Sequence, residues 1–186
     1  MSSFCRAVFF TLLLLLPPVI SAQAEEALRE DEVRRFLVTL EELEVLGERY
    51  PDGTFEDIEI DPEAGFSPIG ASLAEFRDHE SYSELQAILR ASGFDDEDRW
   101  AEIGDRTLRA YMALQIEEEN PHMLAELREA LLELEKRPAL NDEQRAMVMA
   151  MMGPAIAIAK SIDAVPEADL RTIRALRPDI DAVMQP

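Results

Sequence analysis

The feature that most restricts the fold is a helical period in the apolar residues, cut at intervals by proline and glycine. Val33, Phe36, Leu37, Leu40, Leu43, Leu46 and Tyr50 recur every three or four residues. That spacing collects them on one face of a helix and does not fit the two-residue alternation of a half-buried strand. Glu30–Arg34 and Asp31–Arg35 stand four apart among the intervening charges, the separation at which helical side chains meet. Pro51-Asp52-Gly53 ends the run. An amphipathic helix is expected over residues 25–50.

The rest of the chain repeats the pattern with one exception. Residues 54–68 set Phe55, Ile58 and Ile60 among acids and are punctuated by Pro62, Gly65 and Pro68, which reads as an irregular acidic loop. A short helix is expected over Ile69 to His79. Ser81-Tyr82-Ser83-Glu84 matches a capping box, opening a helix with Leu85, Ile88 and Leu89 inside and Gly93 at its end. Asp95 is the expected cap of the next helix, 96–118, where Trp100, Ile103, Thr107, Tyr111 and Leu114 share a face and the pairs Glu102–Arg106 and Asp105–Arg109 decorate another. Asn120-Pro121 begins a helix with the stripe Leu124, Leu127, Leu131 and Leu134, ending at Pro138. Asn141 caps a helix that contains fourteen consecutive uncharged residues, Ala146 to Ala159, kinked or split at Gly153-Pro154. Pro166 starts a last helix with Leu170, Ile173 and Leu176, and Pro178 precedes a final turn holding Ile180 and Val183. The expected fold class is all-α: a single-domain bundle of about six helices over 25–186, with the kinked apolar 146–159 helix near its centre.

Residues 1–24 read as a removable leader. Arg6 is its only charge, Ala7 to Ile20 is apolar, and Ala22-Gln23-Ala24 offers small residues for cleavage after Ala24, directly before Glu25-Glu26. The apolar run is shorter than the roughly 20 residues of a membrane span, so no transmembrane segment is expected once the leader is gone. Cys5, the one cysteine, precedes the apolar run and is lost with it. The mature chain would then have no thiol, which excludes disulfides, thiolate catalysis and cysteine-held zinc or clusters. A soluble, thiol-free exported domain suits a periplasm. With 17 basic against 39 acidic residues the mature charge is −22, and phosphate binding needs clustered lysine and arginine, so nucleic acid is not an expected partner. The sixteen arginines against two lysines, Lys136 and Lys160, read as genome composition rather than recognition.

Motifs for chemistry are sparse. Glu119-Asn-Pro-His122 has the E-x-x-H spacing of carboxylate-bridged metal sites, but Asn120-Pro121 breaks the helix that would align its ends, and no second copy accompanies it. Neither His79 nor His122 has a nucleophile signature such as G-x-S-x-G. The acidic runs 95–98 and 117–119 and the alternation Asp57, Glu59, Asp61, Glu63 lack an EF-hand pattern: Pro62 and Pro68 stand where glycine and glutamate are required. Met147, Met149, Met151 and Met152 form a local cluster. Methionine fills cores, lines adaptable binding surfaces and ligates soft copper; core filling is the leading expectation, the others staying open. Val38, Val45 and Leu132 lie off their stripes and hint at apolar exposure. No catalytic residue, metal site or cofactor is assigned, and a ligand site is unknown.

Two stretches carry a resemblance. Leu140-Asn-Asp-Glu-Gln144-Arg145 is similar to the L-T-x-x-Q motif of the Spy/CpxP-type periplasmic chaperones, occurring once and with Asn for Thr. Gly93-Phe94 through Trp100, then Gly104-Asp105-Arg106 and Ala110-Tyr111, with the later 166–183 segment, resembles small exported helical proteobacterial proteins without assigned function. These likenesses imply a helical exported protein and transfer no catalytic residue. The expected function is that of a non-enzymatic periplasmic protein-interaction or chaperone-like module acting on other envelope proteins. The alternative is a carrier of a small apolar ligand or a soft metal; an enzyme comes third.

Overall fold

A computed structural model describes residues 26–50, 65–126, 129, 132 and 141–184. The leader, the acidic alternation at 57–63 and the stripe residues Leu127, Leu131 and Leu134 lie outside them. Six helices run in order: α1 (Glu30–Arg49), α2 (Pro68–Phe76), α3 (Tyr82–Ala91), α4 (Glu97–Glu119), α5 (Asp142–Asp163) and α6 (Glu167–Met184). Residues 123–126 are helical as well, and no strand occurs among the described residues. The protein has an all-α, single-domain fold.

The stripe of α1 buries as its period requires, with Val33, Phe36, Leu37, Leu43 and Leu46 in the core. They meet Trp100, Ile103, Tyr111 and Leu114 of α4 and Ile173, Leu176 and Ile180 of α6, so that α1, α4 and α6 pack against one another. Leu73 and Phe76 of α2 and Leu85 and Leu89 of α3 close one end of this core. Gly104 lets α1 approach α4: a Cβ built there would stand 2.6 Å from the Phe36 ring. Two buried polar groups of this contact satisfy each other, whereas the Thr107 hydroxyl oxygen on the same helix has no hydrogen-bond partner among the described residues. Trp100 Nε1 donates to Thr39 Oγ1 (2.8 Å), which donates in turn to the Phe36 carbonyl (2.6 Å).

Five local expectations require correction. The central helix is α4, which packs against α1, α2, α3, α5 and α6. By contrast α5 rests on α4 through Ile156, Ala157, Ala159 and Ile162 and presents Pro154 outward. It runs as one helix with Pro154 inside it, so the split does not occur, and Pro154 faces outward. The last helix likewise continues through Pro178 to Met184, because burial of Ile180, one turn beyond Leu176, outweighs the lost backbone hydrogen bond. The capping box does not form. Ser81 precedes α3 without a side-chain cap; its hydroxyl meets His79 Nδ1 (2.7 Å), and Glu84 accepts from the Tyr50 hydroxyl (2.8 Å). The cap of α4 is Asp96, one residue beyond the expected Asp95, accepting from the amides of Asp98 and Arg99. At Gly93 the backbone is left-handed, with φ +81°, which ends α3 as expected.

Candidate functional site

Asp105 and Arg106, expected on the solvated face of α4, are buried at 5% and 3% exposure. Each joins α4 to a distant segment. Asp105 Oδ1 accepts from the Ile69 amide (2.8 Å), and Oδ2 accepts from the Gly70 amide (3.3 Å) and from the Ser67 hydroxyl. Since α2 has no cap of its own, a carboxylate from another helix satisfies its free amides and faces its positive end. Burial nonetheless pushes the Asp105 carboxyl above its ordinary pKa, opposed by the bonds from Ser67, Ile69 and Gly70 and by the charge of Arg109.

Arg106 forms a two-pronged pair with Asp169 of α6, Nε to Oδ2 at 3.0 Å and Nη2 to Oδ1 at 2.9 Å. It also donates to the Glu26 carbonyl (2.8 Å). Asp169, 1% exposed, accepts from the Leu28 amide as well (2.9 Å). The segment preceding α1 is thereby fastened to α4 and α6. A fork-to-carboxylate geometry with additional hydrogen bonds to both partners is the condition under which a buried ion pair is tolerated.

Beside this network lies an open cleft of about 350 Å³ between α4, α5 and the start of α6. Arg106, Arg109, Lys160, Ser161, Asp169 and Gly65 supply its polar and backbone lining. Ser161 Oγ accepts from the Phe66 amide (3.0 Å), which holds it in place and leaves its own proton free to donate. The adjacency of three cations in a chain of net charge −21 is the most distinctive feature of the described surface.

The other residues singled out from the sequence are dispersed. His79 is half-buried, stacked on Phe76 (4.9 Å) and edge-on to Tyr50 (5.8 Å), and its Nδ1 accepts from the Ser81 amide (3.2 Å), a packing role. His122 is exposed beyond the end of α4; Glu119 closes that helix and Asn120 leaves helical geometry, so the E-x-x-H spacing is split. In the 95–98 run Asp96 caps, Glu97 accepts from Tyr82 and Gln86, and Asp98 pairs with Arg77. Glu117 and Glu118 pair with Arg174 and Arg177. No group of three metal-ligating His, Cys, Asp or Glu side chains comes together among the described residues, and none of their helices is long and apolar enough to cross a membrane. Met147 and Met151 are 68% and 76% exposed, which corrects the core-filling expectation for this pair: their face of α5 points away from α4. Val38, Val45 and Leu132 are exposed, as their off-stripe positions indicate. No family model, curated protein or solved structure matches the chain significantly.

Proposed function

We propose that the chain is an exported, periplasmic helical module that works by holding another protein rather than by catalysis, and that its contact face is the outer side of α5. The observation that carries this reading is the exposure of Met147 and Met151, four residues apart on a helix whose 146–159 stretch has no charge. Methionine is flexible and polarizable, which suits a surface that accepts varied apolar partners. Replacing both by serine removes apolar surface and disturbs no described packing. The mature protein is expected to delay aggregation of a chemically unfolded client in a light-scattering assay, and the Met147→Ser/Met151→Ser variant to lose most of that delay. Equal protection by parent and variant, or none by either, sinks the proposal. The mass of the exported protein tests cleavage after Ala24 in the same preparation.

A second reading, carriage of a small ligand, rests on the cleft between α4 and α5. Its cationic lining suits an anion better than the apolar molecule or soft metal suggested by the sequence alone. Neither reading calls for a cofactor or a catalytic residue.

A further inference from the structure

Nine arginines of the described residues are ion-paired: Arg29, Arg34, Arg35, Arg49, Arg77, Arg99, Arg106, Arg174 and Arg177. With more than two acids for every base, a cation without a partner is the exception. Arg90, Arg109, Lys160 and Arg171 make no ion pair with any described residue, and of these Arg109 and Lys160 line the cleft between α4, α5 and α6 together. They reach it from different helices, α4 and α5. The acid nearest to Arg109 in sequence on its helix face, Asp105, has its oxygens engaged by Ser67, Ile69 and Gly70. The third cation, Arg106, is balanced by Asp169. Two positive charges that make no ion pair with a described residue therefore meet at one preformed site, Arg109 acting on the buried Asp105 carboxyl through its charge alone. Beyond roughly 10 Å the surrounding negative charge is screened at ordinary ionic strength, so these near charges set the local potential.

We propose that this cleft binds a small organic dianion, a dicarboxylate with a short methylene body. Arg109 and Lys160 neutralise its two ends, and the Ser161 hydroxyl supplies a neutral donor. Three features select that class. The two lining cations without an ion pair among the described residues match two negative charges. Ala157, Ala164 and Val165 provide an apolar wall for methylenes. The volume of about 350 Å³ lies at the lower end of the range for ligand pockets, roughly 300–1,000 Å³, too small for a nucleotide-sized molecule to be enclosed. The proposal rests on the second reading above and is independent of the methionine face.

Isothermal titration calorimetry of the mature protein at low ionic strength provides the test, with glutarate as the dianion, butyrate as the monoanion, glutaramide as the uncharged counterpart and inorganic phosphate as a compact anion. Glutarate is expected to bind saturably at one site and more tightly than butyrate, with no measurable binding of glutaramide. Lys160→Gln and Arg109→Gln should each weaken glutarate by about ten-fold, the scale of one lost charge-assisted contact. Lys160 is exposed, so its variant keeps the fold, which circular dichroism verifies. Absence of saturable glutarate binding overturns the site. Binding that neither substitution weakens, or that glutaramide or butyrate equals, overturns the charge assignment and leaves ligand carriage itself standing. Phosphate binding tighter than glutarate overturns the organic body.

Discussion

At the residue scale the decisive feature is a pair of neighbours on α4 whose side chains diverge into two buried networks. The Arg106–Asp169 pair is almost wholly buried, so removing one partner leaves a buried charge without its main compensation. Asp169→Asn is expected to cost about 3–5 kcal/mol in urea-induced unfolding. Arg106→Met/Asp169→Leu, which removes both charges, should recover most of the loss. A double variant no more stable than the single one would show that the bonds to the Glu26 carbonyl and Leu28 amide, rather than the charges, are what the site contributes. Asp105 carries a pH signature. Its folded pKa is raised by burial, so the stability it contributes is fully present below the unfolded carboxylate value of about 4 and is lost as pH rises through the folded value. Asp105→Asn cannot ionise. Its stability relative to the parent should therefore improve as pH rises from about 4 to about 7, and a difference that does not change with pH refutes the raised value. Glu84 and Glu97 have lowered values, caused first by hydrogen bonds from Tyr50 and Tyr82 respectively; their contribution has the opposite sign and is lost as pH falls.

At the element scale, close approach and intrinsic propensity compete. Gly104 and Gly47 both lie inside helices, where alanine is preferred by roughly 0.5–1 kcal/mol. At Gly47 a Cβ meets nothing within 4 Å, whereas at Gly104 it would meet two Phe36 ring carbons at 2.6 and 2.8 Å and Ile69 at 3.1 Å. Phe36 is 1% exposed and has no room to yield. Gly47→Ala should stabilise by up to about 1 kcal/mol, and Gly104→Ala should destabilise by about 1–3 kcal/mol in the same denaturation experiment, overpacking outweighing propensity. Equal effects of the two substitutions would contradict the α1–α4 contact. The distinction is invisible in the sequence, where each glycine is one interruption of an apolar period. The prolines teach the same lesson: Pro178 reads as a break and is carried within α6 because Ile173, Leu176 and Ile180 are buried on either side of it, while Pro154 lies inside α5.

At the scale of the whole molecule, α4 packs against each of the other five numbered helices and α1 packs in addition against α3 and α6, while α5 is fastened chiefly to α4. Local opening follows the distribution of buried contacts. Amide hydrogen exchange is expected to be slowest in α1, α4 and α6 and distinctly faster in the 142–155 half of α5. Uniform protection along α5 would contradict its lateral position. The uncharged 146–159 stretch of this helix carries the contact face we propose, and the proposed ligand cleft lies between it and α4.

The sequence by itself determined the all-α class, the extent of most helices and their buried stripes, because the 3.6-residue period reports directly which side of each helix avoids water. Val38, Val45 and the Gly93 terminus were legible for the same local reason. Only the tertiary structure decided which helix is central, since a run of fourteen uncharged residues satisfies the composition of a buried helix without specifying its neighbours. It also decided the fate of Asp105, Arg106 and Asp169. Charged residues four apart on a helix normally lie in solvent, and nothing local distinguishes a pair that will be buried from one that will not. Their partners are amides, a carbonyl and a charged side chain 35 to 141 positions away. Long-range polar satisfaction of this kind exists only after the helices have packed, and with it comes the cleft that Arg109 and Lys160 line.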